Sequence, residues 1–174
     1  NIKDVVSMRV SSIEFPNAIY LITSENKSNE FSIITYDISG TTKINIEKHR
    51  IVLPDGMYET SYLIDYFNNS IFASRPSLER VSAVYNENNN IIFFVNNSSD
   101  PNEKFNIDFR IESDIKRPIQ LNFGWLLGYR KPYYKYESDY VEISDVDLVN
   151  VNERFLPEAP INLFGTPYFY LHVN

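Results

Sequence analysis

Two short apolar runs, residues 81–85 and 91–95, flank the polar stretch Asn86-Glu87-Asn88-Asn89-Asn90, and together they constrain the fold more than any other feature. Asn tolerates positive φ and bonds its own backbone in turns, so the pattern predicts a β-hairpin. Residues 91–95 are also the longest uninterrupted apolar run, strand-sized and well short of the roughly 18 residues that a spanning helix needs. Downstream, Phe105, Ile107, Phe109 and Ile111 alternate with Asn106, Asp108, Arg110 and Glu112, the period of a half-buried strand with one wet face. Residues 31–38 are apolar on both faces, as in a buried central strand. Further strands are expected at 6–15, with a bulge near Ser11 and Ser12, and at 19–23, 44–53, 140–143 and 168–173.

One segment breaks the period of two. Leu53-Pro54-Asp55-Gly56 ends a strand in turn chemistry, after which Thr60 is placed to cap a helix with its side-chain oxygen. Leu63, Ile64, Phe67 and Ile71 then form an apolar stripe, which predicts a helix over about 60–73. A second short helical turn is expected near residues 119–127. The sum is about eight strands, one inserted α-helix and no βαβ rhythm, hence an all-β, antiparallel β-sandwich. A single jelly roll occupying residues 1–174 as one domain fits the strand number and length. An immunoglobulin-like sandwich accommodates the helix less well.

Composition narrows the chemistry. The chain has 174 residues, a formal charge of -7, no cysteine and two histidines, His49 and His172. Thiol catalysis, disulfide scaffolds and zinc–thiolate sites are excluded. His49 sits in the charged stretch Glu47-Lys48-His49-Arg50 and is expected to be solvated, while His172 reads as a sheet residue. Glu137, Asp139, Glu142, Asp145 and Asp147 could offer oxygen ligands to calcium, but their alternation with apolar residues is better explained by a strand with a wet face. No carboxylate pair is singled out for glycoside hydrolysis, and no Ser-His-Asp order or phosphate loop can be assembled. The expectation is therefore a non-enzymatic protein with no cofactor, no metal and no membrane span. Four glycosylation sequons, at Asn26, Asn68, Asn96 and Asn97, occur at about the frequency that the abundance of Asn, Ser and Thr predicts and do not establish secretion. The chain begins at Asn1 without methionine, as a fragment would.

Two stretches concentrate unusual residues. Residues 122–130 hold two of the five glycines and the single tryptophan, Trp125, and read either as a buried corner of the sandwich or as a binding pocket built on Trp125. Residues 130–136 interleave Arg130, Lys131 and Lys135 with Tyr133, Tyr134 and Tyr136. That alternation suits a loop, a protein contact, or stacking on nucleic acid, which the acidic charge of the whole chain disfavours.

Val-Ser-Met-Arg-Val-Ser-Ser-Ile-Glu-Phe-Pro-Asn (6–17), Leu-Pro-Asp-Gly-Met-Tyr-Glu-Thr (53–60) before a helix, and Leu-Leu-Gly-Tyr-Arg (126–130) resemble segments of small capsid proteins of nucleocytoplasmic large DNA viruses. The Asn-, Ile- and Tyr-rich composition is similar to that of the mimivirus-type members. Tyr129 stands where the resemblance would place Phe after Leu-Gly. The resemblance implies a virion structural protein, a penton or minor capsid component assembled in the host cytoplasm. Its partners would be itself, as a homo-oligomer such as a pentamer, and a major capsid protein, with no nucleic acid bound. Ring assembly needs two different sticky surfaces on each subunit. Trp125, Tyr129, Arg130, Tyr133, Tyr134 and Tyr136 are the candidates for one, and Phe155, Leu156 and Pro157, in a Pro-rich segment expected to form an extended arm, for another. The competing class is a glycan- or receptor-binding β-sandwich module of a viral surface protein, with Trp125 or Tyr136 as the aromatic platform.

Overall fold

Strand β1 (Glu30–Ser39) turns through Gly40 and Thr41 into the antiparallel strand β2 (Thr42–Val52). The computed structural model describes residues 21–136 and 154–163; the expected strands at 6–15, 140–143 and 168–173, the acidic cluster from Glu137 to Asp147, and His172 lie outside them. The β1–β2 register shifts between Thr35 and Asp37, which pair with Glu47 and Ile44, so Tyr36 alone faces Asn45 and Ile46. Asn45 absorbs the extra residue at φ 51°, and its side-chain amide donates to Asp37 Oδ2 at 2.7 Å. A bulge of this kind raises the local twist and needs a residue that tolerates left-handed backbone, which Asn does.

The expected hairpin is present as β3 (Val81–Asn86) and β4 (Ile91–Asn96), paired in register from Val81–Asn96 to Asn86–Ile91. Its turn is Asn chemistry: Asn86 Oδ1 accepts from the backbone N–H of Asn88, and Asn90 sits at φ 52°. Strand β5 (Glu103–Asp108) pairs with β1, and the two-residue β6 (Tyr133–Tyr134) pairs with β5. Strand β7 (Arg154–Phe155) pairs with β4. Among the described residues the protein is thus mainly β, with two antiparallel sheets of order β2-β1-β5-β6 and β3-β4-β7. Around residues 19–23 the described part holds a single bridge, Ile22 to Gly56, rather than a strand.

The inserted helix starts where the stripe places it but changes pitch. Helix α1 (Thr60–Asp65) continues as π-helix over Tyr66–Phe72. Thr60 is not its cap. Glu59 occupies the cap position with extended backbone and no side-chain bond, and its carbonyl receives the Leu63 N–H at 2.9 Å. The wider bonding interval of the π segment brings residues five apart onto one side. Phe67 and Phe72 accordingly lie buried with their rings 5.8 Å apart and nearly parallel. The same winding lets Asn68 act as a strand surrogate, donating to the Ala83 carbonyl and accepting from the Ala83 N–H. The second expected helical turn appears as a 3-10 turn, Ile119–Leu121, followed by helix α2 (Phe123–Leu126).

Phe31 is the centre of the core. Its ring lies within 6 Å of Phe67, Phe94, Phe109 and Phe123, so β1, the helix, the second sheet and α2 meet at one side chain. Aromatic pairs in such geometry add about 0.5–1.5 kcal/mol each beyond burial.

Strand β5 corrects one expectation. Phe105 and Ile107 face the core as their alternation requires, but the opposite face is not wet: Lys104, Asn106 and Asp108 are each less than 5% exposed. The reason is their partners. Asn106 binds Tyr36, Tyr133 and the Tyr136 N–H, Asp108 binds Arg110, and Lys104 lies 4.1 Å over the Tyr136 ring. The strand also stops at Asp108 rather than at residue 112, because Asp108 Oδ1 accepts the Arg110 N–H and bends the chain. His49 is less solvated than its charged neighbours imply. Its ring is 3.1 Å from Thr35 Oγ1 and 3.5 Å from Glu47. Burial holds its pKa below the ordinary 6.5, Arg75 and Arg80 push the same way, and Glu47 opposes them.

Phe31→Ala is expected to cost about 3–5 kcal/mol in denaturant unfolding, with Phe31→Leu costing less. Because unfolded His49 takes up its proton more readily than folded His49, stability should fall as pH drops below about 6.5. The part of that loss owed to this residue should be absent in His49→Gln, as pH-dependent urea melts would show.

Candidate interaction surface

The short helix α2 and the turn after it carry the basic–aromatic stretch, and two glycines allow that turn to lie close to the sandwich. A Cβ on Gly124 would come within 2.5 Å of the Phe109 ring. At Gly128, with φ +96°, it would come within 1.9 Å of the Ala159 carbonyl oxygen. Backbone thus approaches backbone closely at Gly128, and at Gly124 a side-chain ring takes the space a Cβ would need. The residues that fill the core beside them are Phe123, Leu127 and Tyr129, all fully buried, whereas Trp125 is only half-buried.

Tyr129 joins core to surface. Its ring lies 4.9 Å from Phe109 and 6.2 Å from Phe94, and its hydroxyl donates to the Phe155 carbonyl at 2.7 Å. Burial raises its pKa well above the usual phenol value. The tyrosine found where the resemblance would place phenylalanine thus ties β7 to the turn, a bond a phenyl ring cannot make.

Arg130 folds back over Trp125, its guanidinium 3.8 Å from the ring and its Nη1 donating to the Trp125 carbonyl at 3.0 Å. Tyr134 then closes the turn. Its hydroxyl oxygen accepts the N–H groups of Arg130 and Lys131, each at 2.9 Å, and donates to Glu158 Oε2 at 2.5 Å. Burial, followed by the bond to Glu158, pushes the Tyr134 pKa up to about 12. Lys131 lies 3.9 Å from the other Glu158 oxygen.

Strand β6 divides the predicted residues between two faces. Tyr134, opposite Ile107, turns inward against Tyr129. Tyr133, opposite Asp108, turns to the other face, where its hydroxyl accepts from Asn106 Nδ2 at 2.9 Å and Arg110 covers its ring at 4.8 Å. Tyr136 joins Tyr133 on Asn106. Trp125, Tyr129, Arg130, Tyr134 and Phe155 are therefore brought together, and Tyr133 and Tyr136 belong to a separate polar cluster. The expected extended arm lies along its own chain: Phe155 packs 4.7 Å from Phe105, Ala159 N–H bonds the Gly128 carbonyl, and Asn162 N–H bonds the Leu126 carbonyl. Leu156 remains 41% exposed and Pro157 half-buried.

Sequence reasoning missed three groups here. Glu158 was visible only as the one charge in a Pro-rich segment. Glu30, Arg50, Arg110 and Glu112 line an open polar cleft of about 250 Å³ at one end of the four-stranded sheet. There Arg50 pairs with Glu30, while Arg110 pairs with Asp108. Tyr58, Tyr62 and Tyr66 form a ring ladder, with centroids 6.0 and 6.2 Å apart; its signal was the repeat of tyrosine every four residues. Among the described residues no helix is long and apolar enough to cross a membrane, and no group of three or more His, Asp or Glu is arranged to hold a metal ion. No protein-family model, curated protein or solved structure matches the chain.

Gly128→Ala is expected to destabilise the protein by more than about 1 kcal/mol, through left-handed strain and the clash with Ala159. Tyr129→Phe should cost about 1–3 kcal/mol by leaving the Phe155 carbonyl without its donor. Thermal melts of both variants, read by circular dichroism, check these values.

Proposed function

We propose that the protein is a structural subunit of a virion shell, of the penton or minor capsid kind, which assembles side by side with further copies of itself and with a major capsid protein. The two antiparallel sheets would be the halves of a single jelly roll, and the protein's work would be mechanical rather than enzymatic. The observation that carries this reading is the basic–aromatic turn at residues 125–134, held on the sandwich by Tyr129, Gly128 and Glu158 so that Trp125, Arg130 and Lys131 are ordered before any partner arrives. Aromatic and Arg side chains ordered in advance are what interface hot spots are made of. The resemblance of residues 6–17, 53–60 and 126–130 to small capsid proteins points the same way.

A second reading, a glycan- or receptor-binding module, is favoured by the cleft at Glu30, Arg50, Arg110 and Glu112, whose paired donors and acceptors suit vicinal hydroxyls. A saccharide bound there without any self-association would favour it.

Tyr133 and Tyr134 are poor probes of assembly because their hydroxyls are spent inside the fold, so Trp125 and Leu156 take their place. Sedimentation velocity over a concentration series should show wild-type protein forming a discrete oligomer. Trp125→Ala and Leu156→Asp should each weaken association by about tenfold or more while keeping the wild-type circular dichroism. A wild-type chain that stays monomeric up to its solubility limit contradicts the proposal.

A further inference from the structure

Tyr62, on α1, is the one aromatic side chain left exposed among the described residues. It is 59% exposed and stacks on the half-buried Tyr66 with the ring planes 17° apart, and the buried Tyr58 supports it from the other side; Met57, next to Tyr58 in the chain, is 46% exposed. The core does not explain Tyr62, because the stripe that faces inward is Leu63, Phe67, Ile71 and Phe72. The charge around the ladder has one sign. Residues 51–74 contain Asp55, Glu59 and Asp65 and no Lys, Arg or His, a formal -3, and all three carboxylates are exposed. Asp65 stands three residues after Tyr62, beside it on the helix, and Glu59 sits at the cap one turn before it.

The basic–aromatic turn has the opposite sign in the same amount. Residues 124–136 contain Arg130, Lys131 and Lys135 and no acid, a formal +3 that Glu158 reduces to +2. Among the described residues the Arg130 guanidinium reaches carbonyl oxygens and the Trp125 ring and meets no carboxylate. Each surface offers what the other lacks: tyrosine faces with flanking carboxylates on one, cations beside a tryptophan on the other. Cations are attracted to the faces of tyrosine rings, most strongly when water is excluded.

We infer that the outer face of the ladder, Tyr62 and Tyr66, of one subunit docks on the Trp125–Arg130–Lys131 turn of a second copy of this chain, a heterologous contact that propagates side by side. Such a contact uses two different surfaces, so a pair still presents one free ladder and one free turn for further copies, and a closed ring occupies both on every subunit. This inference rests on the assembly reading above and names the two surfaces that reading needs. Because the attraction is partly between exposed charges, it weakens as salt shortens the screening length.

The test uses two charge-reversed forms of the full chain, Glu59→Lys with Asp65→Lys, and Lys131→Glu with Lys135→Glu, studied by light scattering at low ionic strength with circular dichroism as the folding control. Each form alone has like charges on both surfaces and should remain monomeric. Mixed one to one, the two forms should assemble, because each ladder then meets a turn of opposite sign. Tyr62→Ser, which removes only an exposed ring, should weaken wild-type assembly by about tenfold or more. If wild-type protein assembles and both reversed forms assemble as well as it does, this pairing is wrong while the assembly reading survives. Loss of assembly in each form without recovery on mixing also rules the pairing out. Wild-type protein that is monomeric under the same conditions removes the assembly reading itself, and this inference with it.

Discussion

Tyr129 lies with its ring against Phe94 of one sheet and Phe109 at the end of the other, and with its hydroxyl on the carbonyl of Phe155. That single side chain fastens the turn that follows it to both layers of the sandwich. Everything outside depends on this anchorage: Gly128 can hold its left-handed backbone against Ala159, Tyr134 can collect the two N–H groups of the turn, and Glu158 can receive the Tyr134 hydroxyl. The ring brings hydrophobic burial and its one polar atom is satisfied, so the anchor carries no unpaired group into the core.

The consequence for function is preorganisation. Long cationic side chains ordinarily lose rotamer freedom when they join an interface, at roughly 0.5–1.5 kcal/mol each. Arg130 has already given up that freedom by stacking on Trp125 and bonding its carbonyl. A partner therefore meets a shaped surface rather than a flexible one. The same logic holds for the tyrosine ladder, whose rings brace one another along the helix. Both surfaces are built on a core in which Phe31 touches four other phenylalanines, and close packing of that kind resists compression.

Much of this was legible in the sequence, for reasons that differ from element to element. The β3–β4 hairpin was readable because both the apolar runs and the Asn-rich turn are local signals. The helix was readable from its stripe, but its π-helical half was not, since Phe67, Ile71 and Phe72 are compatible with either winding and the choice is made by Phe31, Phe94 and Ala83 across the fold. The buried outer face of β5 could not be read, because alternation reports polarity and not what lies opposite. The same limit hid the split of Tyr133 from Tyr134: adjacent residues on a strand point apart, and only the pairing with Ile107 and Asp108 says which one faces the core. Trp125 was singled out by rarity, whereas the residue holding the surface in place is Tyr129.

Electron microscopy of the purified full chain, with class averages of single particles, tests the assembly claim most directly. The account predicts closed rings or shell fragments in which every subunit meets its neighbours through two different surfaces. A uniform field of particles the size of one chain, at low salt and high protein concentration, would contradict it.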